Sequence, residues 1–284
     1  MSNRHLKGVL QKIAWVNLSA GDVKIEEPPE EIYAKYLGGY GLGAYYLFKR
    51  QRAKVDPLGP ENTLGLTTGP LTGTQAINGN RFTVVGKSPK TGGWGDANCG
   101  GTFGPALKQG GFDAIFFTGI SEKPIYAVVE DGKVILHDAS CYWGLSFPEA
   151  DEKFREKYGK QAHVVVIGPA GERMSALASI IHDKGRAAGR SGLGMVMGSK
   201  RLKSVVALAK GKVPVAEEEK LKALRKRILS EYYRAGNPLY DMLHNYGTPG
   251  LLEPSVLTGG IHPSRIGAVG WNIFKVLRVS TEML

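Results

Sequence analysis

The chain has 284 residues, 42% of them hydrophobic, and a formal net charge of +11, long enough to bury a full core as one large domain or two small ones. No apolar run approaches the roughly 20 residues that span a bilayer, so no membrane partner is expected, and no apolar signal core follows the N-terminus, which makes the cytoplasm the expected compartment. Two cysteines, Cys99 and Cys141, exclude a disulfide framework, a four-thiolate site made by this chain alone and a Cys-x-x-Cys pair.

The positive charge is scattered, with one run at 222–227. That run follows Glu217-Glu218-Glu219 on a predicted helix. Acid first and base last suits the helix dipole, so the run reads as a solvated face. No zinc finger, aromatic RNA-binding signature or basic zipper is present, and nucleic acid is not an expected partner.

In chain order, 9–18 and 23–26 predict a hairpin around Ser19-Ala20-Gly21-Asp22. Pro28-Pro29-Glu30-Glu31 opens a helix that stops at Gly38-Gly39, and 44–50 is a second short helix. Residues 63–68, 82–86 and 114–118 read as strands. The clearest hairpin pairs 125–130 with 133–137 around Asp131-Gly132, the favoured chemistry of a type I′ turn. A helix at 149–158, a buried strand at 164–167, a strand at 204–209 and a long helix at 217–233 complete the series. Hairpins mix with helices without regular alternation, which favours an α+β fold of layered β-sheets flanked by helices.

Glycine accounts for 39 residues and clusters at 38–43, 69–79, 92–104 and 185–198. Residues 185–194 combine four glycines with Arg186 and Arg190, and a second segment, Asp96-Ala97-Asn98-Cys99-Gly100-Gly101, sits behind Arg81. Small side chains let a flat ligand lie against backbone N–H groups, and arginine forks suit phosphate. These two clusters predict a site for a large, phosphate-bearing ligand. Val164 through Glu172 is a competing strand-then-glycine pattern, but Gly168-x-x-Gly171 with Pro169 inside it departs from the dinucleotide fingerprint. None of the six histidines forms a close pair with metal-ligand spacing. His182-Asp183 stands out because it lies four residues before Arg186. Cys99 reads as inert packing.

Taken together, the segments resemble the N-terminal domain of the tungsten-containing aldehyde ferredoxin oxidoreductase family. The resemblance is carried by Tyr36-Leu37-Gly38-Gly39-Tyr40-Gly41-Leu42, by Asp56-Pro57-Leu58-Gly59-Pro60-Glu61-Asn62 and by Thr68-Gly69-Pro70-Leu71-Thr72-Gly73-Thr74. It continues through Asn80-Arg81-Phe82, Ala97-Asn98-Cys99-Gly100-Gly101, Gly110-Gly111-Phe112-Asp113-Ala114, Ile167-Gly168-Pro169-Ala170-Gly171-Glu172, Arg186-Ala187-Ala188-Gly189-Arg190 and Met197-Gly198-Ser199-Lys200-Arg201-Leu202-Lys203.

The resemblance implies a base of two β-sheets on which a tungsten bis-pterin lies. Arg81, Asn98, Gly100, Ala187, Gly189 and Arg190 fall on pterin-contacting positions, with Arg186 a further cation for phosphate. Asn98 and the carbonyl of Ala187 fall on positions ligating a magnesium ion that bridges the pterin phosphates, in keeping with magnesium's preference for hard oxygen ligands. In the complete enzymes tungsten oxidises an aldehyde with water to a carboxylate, and electrons reach ferredoxin through a [4Fe–4S] cluster. The ligands of that cluster are absent from this sequence. The implied organisation is a tungstopterin-binding N-terminal domain at 1–215, the start of the family's second, helical domain at 216–265 and an atypical tail at 266–284. The tail carries Trp271, Ile273, Phe274, Val276 and Leu277 and reads either as a truncation or frameshift product or as a genuine short form with a different C-terminus. The alternatives are a non-catalytic pterin-binding module completed by a separate Cys-rich C-terminal subunit, and a nucleotide-binding protein resting on 164–172; the expected partners are ferredoxin in the full-length family and a C-terminal subunit or a homo-oligomer. Substrate and the choice of tungsten over molybdenum are not written in these residues.

Overall fold

A computed structural model of the chain describes residues 6–251 together with 254, 255 and 258. The chain divides into two compact units, 1–218 and 219–284. In order, the first unit holds β1 (Ile13–Asn17), β2 (Asp22–Glu26), α1 (Glu30–Tyr36), α2 (Gly39–Arg50), β3 (Leu64–Thr68), β4 (Arg81–Lys87), β5 (Trp94–Gly100), α3 (Phe103–Gln109) and β6 (Ala114–Thr118). It continues with β7 (Ile125–Glu130), β8 (Lys133–Asp138), α4 (Phe147–Tyr158), β9 (His163–Val166), α5 (Pro169–Glu172), β10 (Ile180–His182), β11 (Arg186–Ala188), α6 (Leu193–Ser199) and β12 (Leu202–Leu208). The second unit is described through α7 (Glu218–Tyr232), whose first residue closes the first unit, and α8 (Pro238–Tyr246). The side chain of Asn237 caps α8 by accepting from the N–H groups of Leu239 and Tyr240, each at 3.1 Å. The expected tail at 266–284 lies outside the described residues.

Two six-stranded sheets form the first unit, ordered β2-β1-β6-β3-β4-β5 and β11-β10-β9-β12-β7-β8. The mixed sheets with flanking helices are the α+β architecture expected from the sequence. Pairing is antiparallel except for β1 with β6 and β7 with β12. In each sheet the strand that comes last or nearly last in sequence sits inside: β6 between β1 and β3, and β12 between β9 and β7.

Alternation sorts each strand's side chains onto two faces. Ile115 and Phe117 join Val129, Val165, Val205 and Ala207 in one large core between the sheets, which α3 and α6 fill with Phe103, Leu107, Val196 and Met197. The opposite faces are covered separately. Tyr33, Leu42 and Tyr46 of α1 and α2 pack on Ile13, Val85 and Phe116, while Ala150 and Phe154 of α4 pack on Tyr126, Val128, Val164 and Val206. Burial on both faces explains why 114–117 in β6, 164–166 in β9 and 205–208 in β12 read as continuous apolar runs rather than alternating ones. The helix at α4 starts earlier than its apolar pattern, because Ser146 and Glu149 close a capping box around Phe147 and Pro148.

Part of the glycine-rich segment 185–194 departs from its expected role. Gly192 and Gly194 do not open toward a ligand; Gly194 belongs to α6, buried in the core. A Cβ on Gly194 would lie 2.5 Å from the carbonyl oxygen of Ala178, and one on Gly198 would lie 2.0 Å from that of Gly171. These glycines let α5 and α6 touch backbone to backbone. The same contact disposes of the nucleotide-binding alternative at 164–172. The space over Gly171 is taken by Ile167 and Gly194, and β9 is antiparallel to both its neighbours, whereas a dinucleotide fold needs a parallel βαβ unit there.

His182 joins the two sheets. It is fully buried on β10, and its Nδ1 lies 3.1 Å from the carbonyl oxygen of Val164, which can only accept, so Nδ1 carries the proton. Nε2 then accepts the N–H groups of Thr102 and Phe103, each at 3.0 Å, where the chain leaves β5 and enters α3. His163 on β9 holds the same place through Nδ1 and the hydroxyl of Thr102, 2.8 Å apart. Burial pushes both histidines below their ordinary range, aided at His163 by Arg155.

Two predictions follow from this packing. Gly198→Ala places a methyl group inside a backbone contact, where overpacking costs typically about 1–3 kcal/mol; the denaturant midpoint should fall accordingly, and an unchanged midpoint would contradict the contact. For the histidines, the unfolded chain takes up protons below its ordinary value of 6.5 while the folded chain resists them. Their contribution is therefore complete above that pH and is lost as pH falls. The midpoint should be lower at about pH 5 than at about pH 7.5, with a smaller difference in His182→Gln; a midpoint that ignores pH over this interval would rule the account out.

Candidate anion site at the meeting of two sheet edges

β5 and β11 are the edge strands of their sheets, and they touch. β5 runs antiparallel to β4 with Arg81 opposite Gly100 and Thr83 opposite Asn98. Paired residues share a face, so these four stand together, while Phe82, Ala97 and Cys99 point into the core. Arg81 Nε donates to Asn98 Oδ1, and Asn98 Nδ2 donates to Thr83 Oγ1 at 3.1 Å. This chain orients the amide and turns the Arg81 fork over Gly100.

From the other sheet, Arg186 reaches the same glycine. A Cβ on Gly100 would lie 3.2 Å from Arg81 Nη1 and 3.8 Å from Arg186 Nη1. Arg81, Gly100 and Arg186 line a cleft of about 320 Å³ together with Asn78, Asn80 and Gly101. Arg186 Nε lies 3.6 Å from Asp183 Oδ2, and Arg81 spends its Nε on a neutral amide. The cleft therefore carries two guanidinium groups beside one carboxylate, over a floor without a side chain. Such an arrangement attracts a multiply charged anion with a flat or exposed face.

The remaining expected site residues lie along the adjoining edge. Ala187 is exposed on β11, and Gly189 and Arg190 are exposed on the bend between β11 and α6. Ser191 fastens that bend to β5: its Oγ donates to the carbonyl of Asp96 at 3.0 Å and accepts the N–H of Asp96 at 3.2 Å, and its own carbonyl accepts from Ser88 Oγ at 2.8 Å. Arg81, Asn98, Gly100 and Arg186 are thus gathered at one point, with Ala187, Gly189 and Arg190 on the strand and bend beside it. Asn78 was not foreseen as a site residue, and Gly101 and Ser191 were expected only as members of the two glycine-rich segments. Asn78 sits in the left-handed region at φ 60°, and the Asn78-Gly79 pair was the available signal. Cys99 is buried, and burial pushes its thiol up, as expected of an unreactive cysteine. Among the described residues no group of three or more His, Cys, Asp or Glu could hold a metal, and no helix is long and apolar enough to cross a membrane.

Comparison with known proteins gives the family of the chain. The family described as aldehyde ferredoxin oxidoreductase, N-terminal domain, matches residues 13–209. The tungsten-containing aldehyde ferredoxin oxidoreductase of Thermococcus kodakarensis is 43% identical over 251 residues, covering 88% of this chain and 41% of that protein. The protein of the same name from Pyrococcus furiosus is 47% identical over 206 residues, covering 72% and 34%. The WOR-like subunit of an aliphatic sulfonate oxidoreductase from Pyrococcus furiosus is 36% identical over 239 residues, covering 78% and 38%. Among solved structures, the active-site complex BamBC of benzoyl coenzyme A reductase, in complex with 1,5-dienoyl-CoA, matches with a TM-score of 0.79 and 33% identity, over 83% of this chain and 36% of that one. The chain thus spans well under half the length of these relatives, and its two sheets and the edge where they meet lie within the matched region: it belongs to the aldehyde ferredoxin oxidoreductase family, whose N-terminal domain it contains.

Proposed function

We propose that this chain is the cofactor-holding part of a tungsten-dependent oxidoreductase, and that the meeting edges of β5 and β11 seat the phosphates of a pterin cofactor. The observation that carries the reading is the convergence of Arg81 and Arg186 over Gly100. The residues present fit such a group: the two guanidinium groups offset phosphate charge, and the bare backbone of Gly100 admits a flat ring. Asn98, Ala187, Gly189 and Arg190 extend the seat along β5, β11 and the following bend. The amide oxygen of Asn98 and the backbone oxygen of Ala187, on strands that touch, are the hard neutral donors that suit a magnesium ion between phosphates.

A bound tungsten pterin supplies two-electron oxygen-transfer chemistry, which in the aldehyde oxidoreductases converts aldehyde and water to carboxylate. The part of these residues is to bind and orient: the forks of Arg81 and Arg186 fix the phosphates, and the Ser191 clamp fixes the edge on which Gly189 and Arg190 lie. A [4Fe–4S] cluster does not fit this chain, because Cys99 and Cys141 cannot supply four thiolates. Transfer of electrons to ferredoxin accordingly requires ligands outside these 284 residues. The subunit and complex named among the relatives favour a second reading, in which a separate polypeptide brings the cluster.

Calorimetric titration of the chain with inorganic pyrophosphate and Mg²⁺ tests the site. Binding is expected, and Arg81→Ala and Arg186→Ala should each weaken it roughly tenfold or more, since hydrogen bonds to charged groups contribute about 1.5–3 kcal/mol. Absence of binding, or alanine variants that bind as the parent does, would overturn the assignment. Metal analysis of anaerobically purified protein, beside a full-length relative, should show tungsten that both substitutions diminish.

A further inference from the structure

We propose that His182 is a positioning residue for this anion site: its neutral ring fixes the hairpin that carries Arg186 against the end of β5, and so sets how Arg186 and Arg81 converge over Gly100. The inference rests on reading that cleft as an anion site.

His182 touches no part of the cleft's open volume. It acts through what it holds. On one side, its Nε2 receives the two backbone N–H groups of Thr102 and Phe103, immediately after Gly100 and Gly101. A Cβ on Gly101 would lie 2.7 Å from Nε2, so the ring bears directly on the backbone that forms the cleft's floor. On the other side, His182 stands opposite Arg186 in the β10–β11 register. Its neighbour Asp183 places one carboxylate oxygen 3.9 Å from Nε2 and 3.6 Å from Arg186 Nε. The rings of Phe82 and Phe103 meet the imidazole edge-on at 6.1 and 5.9 Å, which leaves it one orientation. The fold therefore ties the hairpin that carries Arg186 to the backbone of the cleft's floor, over which Arg81 lies, through one acceptor atom. A phenylalanine of similar shape would leave two buried N–H groups facing carbon, a loss that the hairpin can relieve only by moving. A glutamine keeps an oxygen within reach of both donors.

The experiment uses the full chain with inorganic pyrophosphate and Mg²⁺ as the probe, and compares His182→Phe, His182→Gln, Arg186→Ala and the double variant carrying His182→Phe with Arg186→Ala. His182→Phe should weaken binding about tenfold, His182→Gln should stay within about twofold of the parent, and His182→Phe should add little once Arg186 is gone, because residues acting through a shared contact are not additive. A second measurement needs no variant: pyrophosphate should shift the ¹⁵N resonances of the His182 ring and of the Thr102 and Phe103 amides. Equal losses in the Phe and Gln variants, strict additivity with Arg186→Ala, or resonances that ignore the anion would each overturn the proposal. A parent chain that binds no pyrophosphate overturns the anion site itself and this inference with it. Binding that depends on Arg186 but not on His182 overturns this inference alone.

Discussion

Two guanidinium groups brought over one glycine repel each other, and the structure around Gly100 is the restraint that keeps them there. Arg81 is held by the amide of Asn98, which is itself held by Thr83. Arg186 is held by its place on an edge strand and by Asp183. Neither sheet could create the site alone, because each contributes one cation and the floor belongs to the first. The contacts that cross between sheets, through His182, Thr102 and Ser191, are therefore part of the site's electrostatics as well as of its packing. An anion entering the cleft relieves a repulsion that folding has already imposed, which is how a rigid scaffold converts its own stability into affinity.

The basic balance of the chain has a second component that is hidden from solvent. Lys108, Lys200 and Lys203 are almost wholly buried. Lys203 meets Glu172 at 2.5 Å and the carbonyl of Leu145 at 2.8 Å. Lys108 faces Asp113 at 3.5 Å and donates a hydrogen bond to the carbonyl of Gly69 at 2.7 Å. Lys200 donates to the carbonyl of Gly119 at 3.2 Å, and burial pushes it down to about 8. These ammonium groups tie loops to the sheets by saturating carbonyls.

The sequence was most legible where one physical demand dominated. Residues 114–117 and 164–166 are apolar at every position because both faces of β6 and β9 are covered, and Asp131-Gly132 announced its hairpin through turn chemistry. β5 escaped because its inward residues, Gly95, Ala97 and Cys99, are small and its outward ones, Asp96, Asn98 and Gly100, are poor strand formers. α6 escaped because Gly194 and Gly198 are poor helix formers; the backbone of Ala178 crowds the first and that of Gly171 the second. At the proposed site, the composition around Arg81 and Arg186 suggested an anion, and the individual residues proposed came from the resemblance. His182 was singled out by its distance from Arg186; its part as an acceptor for two backbone donors depends on a contact across 80 residues of sequence, which no local pattern encodes.

The placing of the last strands has a consequence for how the chain is made. β6 must enter between β1 and β3, and β12 between β9 and β7, so each sheet is closed from the inside by a strand synthesised after its neighbours. Until residue 118 has left the ribosome, β1 and β3 expose two apolar inner edges, and β7 and β9 do so again until residue 208 follows. Unpaired edges of this kind recruit other strands readily. The nascent polypeptide thus passes through two windows in which a chaperone has most to protect, each ending when a single central strand docks.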